Sequence, residues 1–206
     1  MARVLGANMF ADAFLVAFRL PNTFRRFFGE GAFSAGFVPL FSQRYHGEGG
    51  IDEARRFSEE VLAIFLPALL VFTLIGQIAM PALVWLLASG FAGDAEKFDL
   101  TIWLSRLTFP YLMLISLTSL LGGLLNSVGR FAVNAAAPIL LNIVLISGLL
   151  WSGSGDDVAA ARVQALCVTL GGIAQLVWLL WCCARAGINL KLRMPRLTPQ
   201  VRTLLK

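Results

Sequence analysis

Four stretches of this chain are long and apolar enough to cross a lipid bilayer, and no other feature narrows the fold as much. They run from Val61 to Ala88, Ile102 to Leu125, Ala132 to Trp151 and Val158 to Cys183. About 20 mostly apolar residues make one spanning helix. Hydrocarbon offers backbone groups no water, so only helices and closed barrels survive there. No segment alternates apolar and polar residues with period two over the length of a barrel strand, which leaves helices. The composition agrees. Of 206 residues, 58% are hydrophobic and 14% are charged, against about 25% charged in a soluble domain. Mean hydropathy is +0.76. A water-soluble fold cannot hide that much apolar surface, and a disordered chain does not carry it. Cys167, Cys182 and Cys183, an odd number in or beside one apolar run, make no disulfide scaffold. The chain is expected to be an all-α integral membrane protein.

A fifth segment, Gly6 to Phe41, is apolar and aromatic but carries Asp12, Arg19, Arg25, Arg26 and Glu30. It reads as a membrane helix with a polar face, so about five transmembrane helices are expected, over residues 6–41, 52–88, 97–126, 131–151 and 158–186. Glycine-rich or turn-forming connectors separate them, among them His46 to Gly50 and Asn126 to Arg130. Short cytoplasmic loops collect Lys and Arg. The first and third connectors and the tail hold ten basic residues, while the second and fourth hold Lys97 alone. The net charge of +5 thus follows membrane topology and not a nucleic-acid surface. On that count the tail, 194–206, is cytoplasmic and the N-terminus lies outside. An outside start without a cleavable signal implies a preceding helix that is not part of this chain; the alternative is a complete five-helix protein.

Ionisable residues at membrane depth cost roughly 2.5–3.5 kcal/mol each at the centre, so they tend to face a cavity or a partner. Asp12, Arg19 and Arg26 are seven residues apart and drift only about −20° per step. Glu30 returns to the bearing of Asp12 after five helical turns. Arg25 stands to one side, and Pro21 bends the helix between. One reading is the polar wall of a water-filled cationic cavity, where guanidinium forks hold phosphate. The other is structural: Arg26 pairs with Glu30, four residues on, and Arg19 snorkels. Arg106 fits snorkelling better. No His, Cys or carboxylate cluster has metal-ligand spacing, and no nucleophile elbow, phosphate loop or dinucleotide fingerprint is present. Neither an enzyme nor a cofactor has positive support.

Ala11-Asp12-Ala13-Phe14, Val16 to Asn22, Arg25-Arg26, Glu30 to Ser34 and Phe37-Val38-Pro39 together resemble the signature of the MurJ (MviN) family of bacterial lipid II flippases. Phe109-Pro110-Tyr111, Ile115 to Leu117, Asn126, Arg130-Phe131, Ala137-Pro138, Leu141-Asn142, Gly171-Gly172 and Gln175-Leu176 are similar to it as well. The resemblance implies the fold of the multidrug/oligosaccharidyl-lipid/polysaccharide exporter superfamily, two six-helix lobes around a central cavity with two further helices. It implies that residues 1–193 are part of the N-terminal lobe, helices two to six, and that 194–206 lead toward a C-terminal lobe outside this chain. It also implies a function: alternating access that moves undecaprenyl-pyrophosphate-linked peptidoglycan precursor from the inner to the outer leaflet of the bacterial cytoplasmic membrane, with no enzymatic step. Its partners are then that precursor, membrane lipid and a coupling ion. Arg25 and Arg26, with Arg19, are the expected anion ligands, and Asp12 and Glu30 the residues of conformational or ion coupling. Two alternatives stay open. One is an exporter of another polyprenyl-linked oligosaccharide or a drug; the other is a membrane scaffold that transports nothing.

Overall fold

The structure, a computed structural model, describes residues 9–28, 32–91, 93–152 and 157–192. Among them the helices are α1 (Met9–Phe28), α2 (Ala32–His46), α3 (Gly50–Ile78), α4 (Met80–Leu87), α5 (Ala95–Thr108), α6 (Tyr111–Ser127), α7 (Phe131–Ser152) and α8 (Asp157–Arg185), with a 3-10 turn at Ser89–Phe91. No strand occurs among the described residues.

Four of these segments are long and apolar enough to cross a membrane: Gly50–Ile78, Ala95–Ser127, Phe131–Ser152 and Asp157–Arg185. They make the chain a multi-pass membrane protein. The second comprises α5 and α6, which meet at Phe109–Pro110. It is central, with 72% of its most apolar stretch buried, while α7 is peripheral, with 17%. Helices α1, α2, α3 and α8 surround the centre, and α7 packs mainly on α8.

Helix ends follow local chemistry. Asp94 caps α5, its carboxylate accepting from the Lys97 N–H at 3.1 Å. After α8, Gly187 takes φ 82°, and the Ile188 N–H returns to the Cys183 carbonyl at 2.9 Å. That is the glycine-terminated ending a helix uses to satisfy its last carbonyls. The chain then runs back over α3, where the Lys191 N–H donates to the buried Glu59 carboxylate at 3.1 Å.

Three expected boundaries change. The segment 6–41 is two helices, α1 and α2, the second continuing to His46. The segment 52–88 is divided at Ala79, where Pro81 starts α4. The segment 97–126 bends at Phe109–Pro110. A proline lies at or beside the second and third of these breaks. The ring removes a backbone donor and crowds a preceding carbonyl, which an apolar run by itself does not register.

The freed carbonyls find partners on other helices. Pro21 deprives Ala17 of its helical donor, and the Thr108 hydroxyl supplies one at 2.8 Å. Pro110 does the same to Arg106, whose carbonyl accepts from Gln77 Nε2 at 2.8 Å. The neighbouring Leu107 carbonyl accepts from Thr169 Oγ1 at 2.6 Å. Phe109, fully buried at the bend, lies edge-on to Phe24 at 6.2 Å and stacks on Phe72 at 6.4 Å. Gly76 leaves the room this ring occupies; a Cβ there would overlap it. The expected close packing at Gly171 and Gly172 is also present, against Leu141 and against Tyr111 with Leu114.

Candidate functional site

Helix α1 has two chemically different faces. Ala13, Phe14, Ala17, Leu20 and Pro21 are buried against the bundle. Ala13 and Ala17 share a core with Ala160, Ala161 and Ala165 of α8, since small side chains let two backbones approach. The opposite face carries Asp12, Leu15, Arg19 and Thr23, all exposed. These four recur at the three- and four-residue spacings of one helical stripe. The face that sequence spacing assigned to Asp12 and Arg19 therefore points away from the core.

Asp12 is paired, with a partner outside the stripe. Its carboxylate lies 2.9 Å from the Lys97 ammonium, joining the start of α1 to the first turn of α5. The Asp12 side chain is 58% exposed and that of Lys97 only 17%, so the pair is half-wet. Lys97 also stands 4.0 Å from the centre of the Phe91 ring. No described residue forms an ion pair or hydrogen bond with the Arg19 guanidinium; the Arg19 carbonyl accepts from Thr23 Oγ1 at 3.0 Å. Arg25 and Arg26 belong to the last two turns of α1, but their side chains lie outside the described part. Glu30 lies outside the described residues altogether, and with it the Arg26–Glu30 pairing. Arg106 is exposed, about three turns inside α5.

Beside the start of α1 is a polar recess of about 300 Å³ lined by Phe10, Glu96, Asp99, Trp103, Val158 and Arg162. The Arg162 guanidinium lies 5.1 Å from the Trp103 ring. Two basic residues at the opposite end are tied into the bundle. Arg44 lies 4.1 Å from the Phe57 ring and donates to the Leu40 carbonyl at 2.8 Å; Arg55 pairs with Asp52 at 3.1 Å. Among the described residues no group of His, Cys, Asp and Glu is arranged to hold a metal ion. Chemically, the outward stripe can attract anions at Arg19, while Asp12 is already paired with Lys97.

Sequence reasoning missed Lys97 as the partner of Asp12, and it missed Thr108, Gln77 and Thr169. Lys97 had a signal: it is the one cation in the second and fourth connectors. The three polar residues had a weaker one, each being a hydrogen-bond donor inside an apolar run that also contains, or packs on, a proline.

Comparison with known proteins bears on the whole chain. A family model described as "Lipid II flippase MurJ" matches residues 1–206. A "Probable lipid II flippase MurJ" of Rhizobium tropici is 48% identical over 208 aligned residues, covering 100% of this chain and 39% of that protein. Its counterpart in Rhizobium meliloti (strain 1021) is 45% identical, with the same coverage of 100% and 39%. A "Lipid II flippase MurJ" of Burkholderia cenocepacia is 35% identical, over 86% of this chain and 34% of that protein. The chain therefore spans about two fifths of the length of these relatives. Among solved structures, "Lipid II flippase MurJ, inward closed conformation" superposes with a TM-score of 0.74 at 23% identity, over 98% of this chain and 40% of that one.

Proposed function

Because this chain belongs to the lipid II flippase MurJ family, we propose that it forms part of the N-terminal lobe of a flippase that carries lipid-linked peptidoglycan precursor across the bacterial inner membrane. One observation carries the reading: α1 turns Asp12 and Arg19 outward while burying Ala13, Phe14, Ala17 and Leu20. Charge on a helix face within a membrane protein is expensive unless that face meets water or a counter-charge. A second lobe opposite α1 encloses that face as one wall of a central cavity.

In this reading Arg25 and Arg26, with Arg19 at the entrance, hold the pyrophosphate of the precursor. A planar guanidinium presents paired donors that match phosphate oxygens, and such charge-assisted bonds are about twice as strong as neutral ones. The polyprenyl tail stays in lipid. One lobe then rocks against the other about the bound headgroup, as in other repeat-built transporters. No covalent bond is made or broken, so the role is transport and not catalysis. Asp12 and Glu30 couple the motion to an ion or to the membrane potential, which is worth roughly 2.3 kcal/mol per charge per 100 mV. The connectors that with the tail hold ten basic residues, against one in the others, face the cytoplasm.

The test uses a chimera in which this chain replaces the matching segment of the Rhizobium tropici relative. Arg25→Ala and Arg26→Ala should each lower outward flipping of precursor by about ten- to a hundredfold, the worth of a hydrogen bond to a charged group. The readout is accessibility of the precursor to an external enzyme in depleted cells. Wild-type flipping in both variants would sink the anion-site reading.

A further inference from the structure

We propose that Thr108 is a positioning residue for the arginine-bearing turns of α1. The inference rests on reading Arg25 and Arg26 as anion ligands, and it adds what sets their bearing. Pro21 has no N–H, so the Ala17 carbonyl loses the donor a helix normally supplies. Ala17 and Thr108 are both fully buried, and water is not at hand to replace that donor. Within a membrane, neighbouring Ser and Thr side chains are among the few groups that do so.

The Thr108 hydroxyl has one proton and two carbonyls within reach, Ala17 at 2.8 Å and Ser105 at 3.2 Å. Ser105 already accepts from the Phe109 N–H at 2.8 Å, so Ala17 is both the nearer acceptor and the one in need. One turn beyond, Phe24 packs on Phe109 and Phe72, at 6.2 and 5.4 Å. The proline turn of α1 is thus fastened twice to the bend between α5 and α6: once by a hydrogen bond before Pro21 and once by aromatic contact after it. Residues 25 and 26 follow directly on Phe24 in the same helix, so this fastening sets the course of the backbone that carries them. The α5–α6 bend is itself held from α3 by Gln77 and from α8 by Thr169.

The experiment measures geometry without substrate. Spin labels at Leu15→Cys and Phe28→Cys straddle Pro21, roughly 20 Å apart at the helical rise, in the full chain in liposomes with Cys167, Cys182 and Cys183 changed to Ala. The expected result is a single narrow distance in the parent, its loss in Thr108→Val, and its recovery in Thr108→Ser. In a Pro21→Ala background, where Ala17 regains its helical donor, Thr108→Val should change nothing. A narrow parental distance in Thr108→Val overturns the proposal. So does equal broadening with and without Pro21, which would make Thr108 a packing residue only. If Thr108→Val does not insert by itself, Pro21→Ala must rescue it, and failure of that rescue also overturns the proposal. In the chimera, Thr108→Val should lower flipping by about tenfold, as small misplacements of ligating groups do, with Thr108→Ser restoring it. Should Arg25→Ala and Arg26→Ala leave flipping intact while the distance still depends on Thr108, the anion-site reading falls and the fastening of the turn stands.

Discussion

Helices α1 and α7 are built alike and present chemically opposite surfaces. Each contains a proline, Pro21 or Pro138, and each packs on α8. Each shows a stripe of exposed residues at helical spacing. On α7 it is Ile139, Ile143, Ile146 and Leu150; on α1 it is Asp12, Leu15, Arg19 and Thr23. The α7 stripe is what lipid tails require, since all four of its side chains are hydrocarbon. The α1 stripe is what lipid tails exclude. Two helices of similar construction thus present opposite chemistry, one stripe wholly hydrocarbon and one carrying charge; in the proposed function the first meets the bilayer and the second lines the cavity. Their attachment differs in kind too. On the α7 side, Gln175 Nε2 and Trp178 Nε1 of α8 donate to the Ala137 and Val133 carbonyls at 3.0 and 3.2 Å. On the α1 side, Thr108 donates to a carbonyl that a proline has stripped of its donor.

The hardest test of the contrast places one charge on each stripe. Ile143→Arg should raise the cost of membrane insertion by about 3 kcal/mol, whereas Leu15→Arg should add less than about 1 kcal/mol, as the proposed cavity face requires. Glycosylation-mapped insertion of each helix measures both. Equal penalties would put α1 against lipid and erase the distinction. A smaller effect asks whether the two sides are equally tightly packed. Gly76→Ala drives a methyl into the Phe109 ring and Gly171→Ala drives one into Leu141. Each should lower stability in detergent by about 1–3 kcal/mol, the usual range for overpacking, with Gly90→Ala, which meets open space, as the neutral reference. The smallest effect belongs to the ion pair that α7 lacks. Lys97→Met and Asp12→Asn, taken as a double-mutant cycle, should couple by about 0.2–1 kcal/mol, because Asp12 is more than half exposed. A coupling that vanishes in high salt would agree with a half-wet pair.

The membrane class and the outer limits of α7 and α8 were legible in the sequence. Their apolar runs end at residues with clear turn chemistry, Arg130 before Phe131 and Gly187 after Arg185. That Asp12 and Arg19 share one face was legible too, because a spacing of seven survives any plausible helix. What stayed hidden depends on contacts distant along the chain. Periodicity in α1 says nothing about Lys97, 85 residues away. Thr108 looks like an ordinary polar residue in an apolar run until α1 is laid beside it. The divisions at Ala79 and Phe109–Pro110 were masked for a different reason: hydropathy measures transfer from water, and a bent helix transfers as well as a straight one. In the described part of α1, the common face of Asp12 and Arg19 was therefore legible from spacing and its supports were not.

The contact between Glu59 and the stretch after α8 has a consequence for which substitutions that stretch can bear. The donor is the peptide N–H of residue 191, not the lysine side chain. Nineteen amino acids bring that N–H with them and one does not. Position 191 is thus chemically permissive to everything but proline, while the carboxylate that receives the bond has few substitutes.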